Sequence, residues 1–194
     1  MAKVTGPLFS VDARGKIADT IVFMGWRGLK TVRRWLKPAN PRTVAQVTTR
    51  NFFSTAVSLF QNLSGFDKGA LRTEASGQPY SGFNLWVGWV KKCLDSGKSW
   101  VTISDVTAAP GSSGSGECTI TGSCSEAIID LVIRYGRTTS LLDGETEVTT
   151  GANSFTKILN SLLPNETYYF KVLLKTPNSK QGETGIYSFV SPSA

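Results

Sequence analysis

The sequence predicts two modules in series: an α+β module over residues 1–97, built of a β-hairpin plus helices, and an all-β sandwich over residues 98–194. Three observations predict it. Up to residue 97 apolar residues recur first in alternation and then at three- and four-residue steps. From Ser99 onward they fall in short alternating runs broken by turn residues, which is sandwich patterning. Charge divides at the same place, with 14 Lys/Arg against 5 Asp/Glu in residues 1–97 and 7 against 9 in residues 98–194. Net charge bears on association rather than on fold, so the split points to modules with different partners; the plainer alternative is a solvated basic face.

The elements follow in order. Residues 16–24 and 26–36 alternate on either side of Gly25, the pattern of a hairpin turning at that glycine. The segment Lys37-Pro38-Ala39-Asn40-Pro41-Arg42-Thr43 then predicts a helix start, with Asn40 as cap and Pro41 in the first helical position, where its missing N–H costs nothing. Val44, Thr48, Phe52, Ala56, Leu59 and Leu63 carry that helix's apolar stripe, widened by Val47, Phe53, Val57 and Phe60. A second helical piece is expected after Asp67, and a third after Ser81-Gly82, with Phe83, Trp86, Val87, Val90 and Leu94 on one side. Asp95-Ser96-Gly97 ends it and sets the boundary near residues 95–99. Strands are expected at 100–107, 117–122, 128–136, 145–150, 154–159, 167–175 and 184–190, with 111–116 as a Gly/Ser loop.

Composition excludes several classes. There is no histidine, so the commonest proton shuttle near neutral pH is missing and no catalytic residue is assigned; an enzyme is not expected. Three cysteines, Cys93, Cys118 and Cys124, make neither a disulfide framework nor a four-ligand zinc site without histidine; a Cys118–Cys124 bridge stays open. No cofactor or metal is expected. Gly97-Lys98-Ser99 fails as a phosphate loop because Lys92 stands where a glycine is required. Asp143, Glu145 and Glu147 cluster in a turn-rich stretch and read as solvated loop charge. No segment reads as a signal peptide or membrane span, so a chain made in a cytoplasm with no membrane partner is expected.

Leu162-Leu163-Pro164-Asn165-Glu166-Thr167-Tyr168-Tyr169-Phe170-Lys171-Val172 resembles the E–F corner of a fibronectin type III domain, and Tyr135, closing Leu131-Val132-Ile133-Arg134-Tyr135, is similar to that family's third-strand tyrosine. The resemblance implies an immunoglobulin-like sandwich in which the Tyr168 hydroxyl bonds back to nearby backbone. It also implies a binding or spacing module without catalysis. The family's second-strand tryptophan is missing, Cys118 and Ile120 being the inward groups there. Residues 6–94 resemble short bacteriophage and prophage proteins. The residues that carry this are Arg27-Gly28, Asn40-Pro41-Arg42-Thr43, Gln46, Arg50 and Ser81-Gly82-Phe83-Asn84-Leu85.

That second resemblance implies a virion-associated structural or accessory protein, a capsid decoration or tail component. Residues 1–97 would dock on other virion proteins while the sandwich projects. The expected contact set is Trp26, Arg27, Lys30, Arg33, Arg34, Trp35 and Lys37, basic residues interleaved with tryptophans. The same cluster would suit a nucleic-acid backbone, which is one alternative; a host-surface glycan bound by the sandwich loops is the other. The wide apolar stripe of the first helix predicts a homo-oligomer.

Overall fold

The computed structural model describes residues 2–3, 14–26, 29–37, 39–127, 130–149, 153–175 and 179–193. They divide into two compact units, Met1–Thr43 and Val44–Ala194.

The first unit is an antiparallel sheet of β1 (Ala2–Lys3), β2 (Gly15–Ile17), β3 (Ile21–Trp26) and β4 (Leu29–Arg34), in the order β1-β4-β3-β2. The expected hairpin is present as β3 paired with β4, Ile21 opposite Arg34 and Trp26 opposite Leu29. Gly25 is not its turn, however. It lies inside β3, opposite Lys30, and the pairing runs on to Trp26 opposite Leu29; residues 27–28 lie outside the described residues. The first arm is itself broken, because Ala18 and Asp19 take left-handed backbone (φ 45° and 51°) and the Thr20 N–H closes on the Ile17 carbonyl at 3.0 Å. An alanine carries no signal for that conformation, so alternation alone reads straight through it.

The second unit begins with α1 (Val44–Asn62). Its start is later than Asn40 and Pro41 suggest: Arg42 has φ 48°, which no right-handed helix accommodates, so Thr43 occupies the capping position. The helix buries Ala56, and Leu59 and Phe60 pack against the same small core, which includes Leu63 just beyond the helix. By contrast every residue from Val44 to Asn51 is exposed. α2 (Gly65–Glu74) starts ahead of Asp67, with Ser64 as N-cap and Asp67 closing a capping box. α3 (Gly82–Asp95) is capped by Ser81, whose Oγ accepts from the Asn84 N–H at 3.3 Å. Trp86 bolts α3 to α1, its Nε1 donating to the Ala56 carbonyl at 3.1 Å, and meets the Trp100 ring edge-to-face at 5.3 Å.

Two sheets make the sandwich. β10 (Ser154–Leu159), β7 (Cys118–Cys124) and β6 (Ile103–Pro110) form one; β13 (Tyr187–Val190), β11 (Thr167–Leu174), β8 (Asp130–Gly136) and β9 (Gly144–Thr149) form the other, all antiparallel. β5 (Ser99–Trp100) and β12 (Lys180–Gln181) pair in parallel beside them. The inner faces contribute Ile103, Val106, Ile120, Leu131, Ile133, Phe155, Phe170 and Val172, all buried. The place of the missing tryptophan is taken from the neighbouring strand. The Phe155 ring lies over Gly122, 2.6 Å from where a Cβ would stand, so a glycine on β7 admits an aromatic from β10.

α2 closes one side of this core. Ala70 belongs to the sandwich cluster, its carbonyl accepts from the Ile186 N–H at 3.1 Å, and Gly185 approaches the helix so closely that a Cβ would stand 2.3 Å from the Ala70 carbonyl carbon. The boundary expected at residues 95–99 is therefore a change of secondary structure within one compact unit, and the compact units part at Thr43 and Val44.

Candidate assembly surface

β3 and β4 position the basic residues, and the two-residue period of a strand decides which of them act together. Ile21 pairs with Arg34, Val22 with Arg33, Phe23 with Val32 and Met24 with Thr31. One face of the sheet therefore carries Ile17, Ile21, Phe23, Val32 and Arg34, with Lys30 in line, and the other carries Lys16, Val22, Met24, Thr31 and Arg33. Arg33 and Arg34 are both exposed but point to opposite sides. The single basic patch expected from the sequence is thus two surfaces, a correction that strand alternation alone could have supplied.

Each face mixes cation with exposed hydrocarbon. Ile17 (47% exposed) and Ile21 (40%) accompany Arg34, and Met24 (37%) accompanies Arg33, while Phe23 is buried. These apolar groups were absent from the expected contact set; the signal for them is a short, turn-broken strand too small to cover both its faces. Trp35, half-buried, donates its backbone N–H to the Thr20 carbonyl at 2.7 Å, and Lys16 Nζ lies 4.6 Å from its ring centroid. Lys16 also pairs with Asp19. Lys37 is exposed and Lys30 half-buried. Arg27 lies outside the described residues, and of Trp26 only the backbone is described. By sequence, residues 14–43 hold eight Lys/Arg (14, 16, 27, 30, 33, 34, 37, 42) against Asp19 alone, so the field around this sheet is positive. Arginine beside exposed aliphatic carbon is the composition of a protein interface core, and a guanidinium forks onto carboxylates.

The other sequence candidates resolve into structural roles. Glu145 accepts from Arg134 Nε of β8 at 3.0 Å and Glu147 pairs with Lys175, just past β11, so both are spent on ion pairs within the sandwich. Trp86 is buried. Trp89 is half-buried, with Lys171 Nζ 4.6 Å from its ring. Cys93, Cys118 and Cys124 are free and buried; Cys118 and Cys124 stand at opposite ends of β7, about 20 Å apart at the rise of a strand, beyond any bridge. Burial pushes both thiols up to about 11, so neither is a thiolate at neutral pH. Among the described residues no group of three or more His, Cys, Asp or Glu could hold a metal, and no helix is long and apolar enough to cross a membrane.

At the E–F corner the Tyr168 hydroxyl accepts from the Leu163 N–H at 3.0 Å, the backbone return that the motif implies. No family model and no curated protein matches the chain. Among solved structures, the FN5 domain of Drosophila Lar is 16% identical, covering 48% of this chain and 97% of that one with a TM-score of 0.34. The fn3 domain of human collagen alpha-1(XX) is 18% identical over 48% of this chain and 79% of its own, with a TM-score of 0.33. A computationally redesigned β-sandwich protein is 16% identical over 47% and 95%, with a TM-score of 0.38. The chain's own strand order, β6-β7-β10 facing β9-β8-β11-β13, together with the Tyr168 corner, makes its second half a fibronectin type III-like, immunoglobulin-like β-sandwich.

Proposed function

We propose that this protein is a non-catalytic structural or accessory component of a phage particle, a capsid decoration or tail protein, that attaches through the basic sheet of its first unit and presents the sandwich. One observation carries the reading: Arg33 and Arg34 are exposed among exposed Ile17, Ile21 and Met24 on a sheet too small to cover itself. Such a surface gains most by meeting acidic protein, where apolar area is buried and each guanidinium finds a carboxylate. The resemblance of Asn40-Pro41-Arg42-Thr43 and Ser81-Gly82-Phe83-Asn84-Leu85 to phage proteins supplies the context. The nucleic-acid reading is weaker, because Lys16 occupies the Trp35 ring that would otherwise stack a base. Mass spectrometry of purified particles tests the proposal: the chain should copurify in fixed stoichiometry with the main capsid or tail protein, and its absence would remove the reading.

A further inference from the structure

A separate feature of the sandwich lies beside the β8–β9 loop. β8 and β9 are joined by residues 137–143, and this loop, with Tyr135, Gly136 and Tyr168, encloses an open cleft of about 330 Å³ lined also by Arg137, Thr138, Leu141 and Asp143. That volume is at the small end of ligand clefts.

The cleft is held in shape. Thr138 Oγ1 accepts from the Leu141 N–H at 3.2 Å, closing the loop on itself. The Leu141 carbonyl folds onto Gly136, 2.2 Å from where a Cβ would stand. Tyr168 is fixed by its bond from Leu163. Tyr135 rests its phenol end on Gly144, whose absent side chain makes the room: a Cβ there would stand 2.6 Å from the ring's Cζ. A glycine on β9 thus backs an aromatic ring that lines the cleft.

The charges are the informative part. Arg137 and Asp143 line the same cleft, yet neither forms an ion pair with the other or with any other described residue. An anionic ligand would be opposed by Asp143 and a cationic one by Arg137. A neutral ligand whose groups both donate and accept suits both at once, since guanidinium only donates and carboxylate only accepts. Adjacent hydroxyls do this. The negative face of a tyrosine ring complements the polarised C–H face of a sugar. We propose that the cleft between the β8–β9 loop and the E–F corner binds a saccharide, one ring lying on Tyr135 with adjacent hydroxyls held by Arg137 and Asp143.

The test is an amide NMR titration of the full chain with cellobiose, maltose, lactose and N,N′-diacetylchitobiose, with triglycine as the zwitterionic control. Saturable shifts from at least one sugar, centred on residues 135–143 and on Tyr168, are expected at millimolar affinity. Arg137→Ala and Asp143→Asn should each weaken that binding by about tenfold or more, as expected when one charge-assisted hydrogen bond is lost, with melting temperature unchanged. Gly144→Ala, which displaces Tyr135, should abolish it. Arg33→Glu should leave it intact, so failure here is distinguishable from failure of particle attachment. Saturable binding by triglycine alone, sugar shifts centred elsewhere, or no saturable shift from any sugar would each overturn the assignment.

Discussion

Tyr187 Oη donates to Asp67 Oδ1 at 2.7 Å, joining the first turn of α2 to the last strand of the sandwich across 120 residues of chain. The other carboxylate oxygen of Asp67 accepts from Ser64 Oγ at 2.8 Å and from the Asp105 N–H at 3.0 Å. Asp105 sits at the β6 irregularity with φ 53°, so its N–H has left the strand ladder and finds its partner in the helix. Asp67 is 3% exposed, and Tyr187, stacked between Phe66 and Phe170, has its hydroxyl pKa raised by burial first and by Asp67 second. One carboxylate therefore satisfies the cap of α2, the bulge of β6 and the tyrosine of β13.

Replacement of Asp67 by Ala leaves four donors without their acceptor, the Ser64 N–H and Oγ, the Asp105 N–H and the buried Tyr187 hydroxyl, and should cost about 3 kcal/mol or more, whereas Tyr187→Phe removes one hydrogen bond to a charged group and should cost about 1.5–3 kcal/mol. Urea unfolding of both variants and of the double variant measures this. Because the two side chains share the bond, the double variant should lose clearly less than the sum.

The same junction bears on how the chain divides. Residues 98–194 contain every sandwich strand and on sequence alone should fold independently, yet without α2 they expose the surface covered by Phe66 and Ala70 and orphan the Asp105 N–H and the Tyr187 hydroxyl. Residues 44–194 should melt in one cooperative transition. Residues 98–194 should melt at least about 10 °C lower, the shift that a loss of a few kcal/mol produces in domains of this size. Equal melting temperatures would mean that the helical layer adds nothing to the sandwich.

Tyr168→Phe should cost on the order of 1 kcal/mol, because the Leu163 N–H loses its acceptor, and Tyr169→Phe should cost little, its side chain pointing to the opposite sheet face. Denaturant midpoints of the two variants decide between this and a corner held by packing alone, in which case both would be neutral.

Lys171 holds two carboxylates, Glu74 at 2.6 Å and Glu183 at 3.2 Å, beneath Trp89. All three side chains are at most 20% exposed, so Lys171→Met leaves two shielded acids facing one another and should cost about 3 kcal/mol at pH 7. Burial raises the Glu74 carboxyl above its ordinary value, Lys171 opposing the rise, and Glu74 Oε2 has no hydrogen-bond partner. A carboxyl raised in the folded state favours folding when protonated. Its contribution is full below 4.5 and is lost as the pH climbs through the raised folded value. Glu74→Gln should therefore gain on wild type as the pH rises from 4.5 toward neutrality; thermal melts across that range should show the gap widening, and a narrowing gap would contradict the burial argument.

What the sequence revealed follows the range of the interactions. The E–F corner was legible because Leu162, Pro164 and Tyr168 act within seven residues, and the strands because burial on one face imposes alternation. Left-handed backbone at Ala18 and Arg42 was not legible, since neither residue type signals it; the first breaks the leading arm of the hairpin and the second delays the start of α1. Asp67 read only as the residue ahead of a helical piece, because its partners lie 38 and 120 positions away. Within the basic cluster the residue types were legible. Their division between two faces needed the pairing of Val22 with Arg33 and Ile21 with Arg34.

That division sharpens the test of the assembly surface. Since the two arginines face opposite ways, one docking partner on one face depends on one of them. Exposed charges contribute little to folding, so Arg33→Glu and Arg34→Glu should each leave the melting temperature nearly unchanged. The most direct measurement is co-sedimentation of particles stripped of this protein with the wild-type chain and with each single variant. The account predicts that wild type binds, that one variant loses at least about tenfold in affinity as an interfacial charge is reversed, and that the other binds nearly as wild type. Undiminished binding by both variants, or no binding of the wild-type chain to any particle, would contradict it.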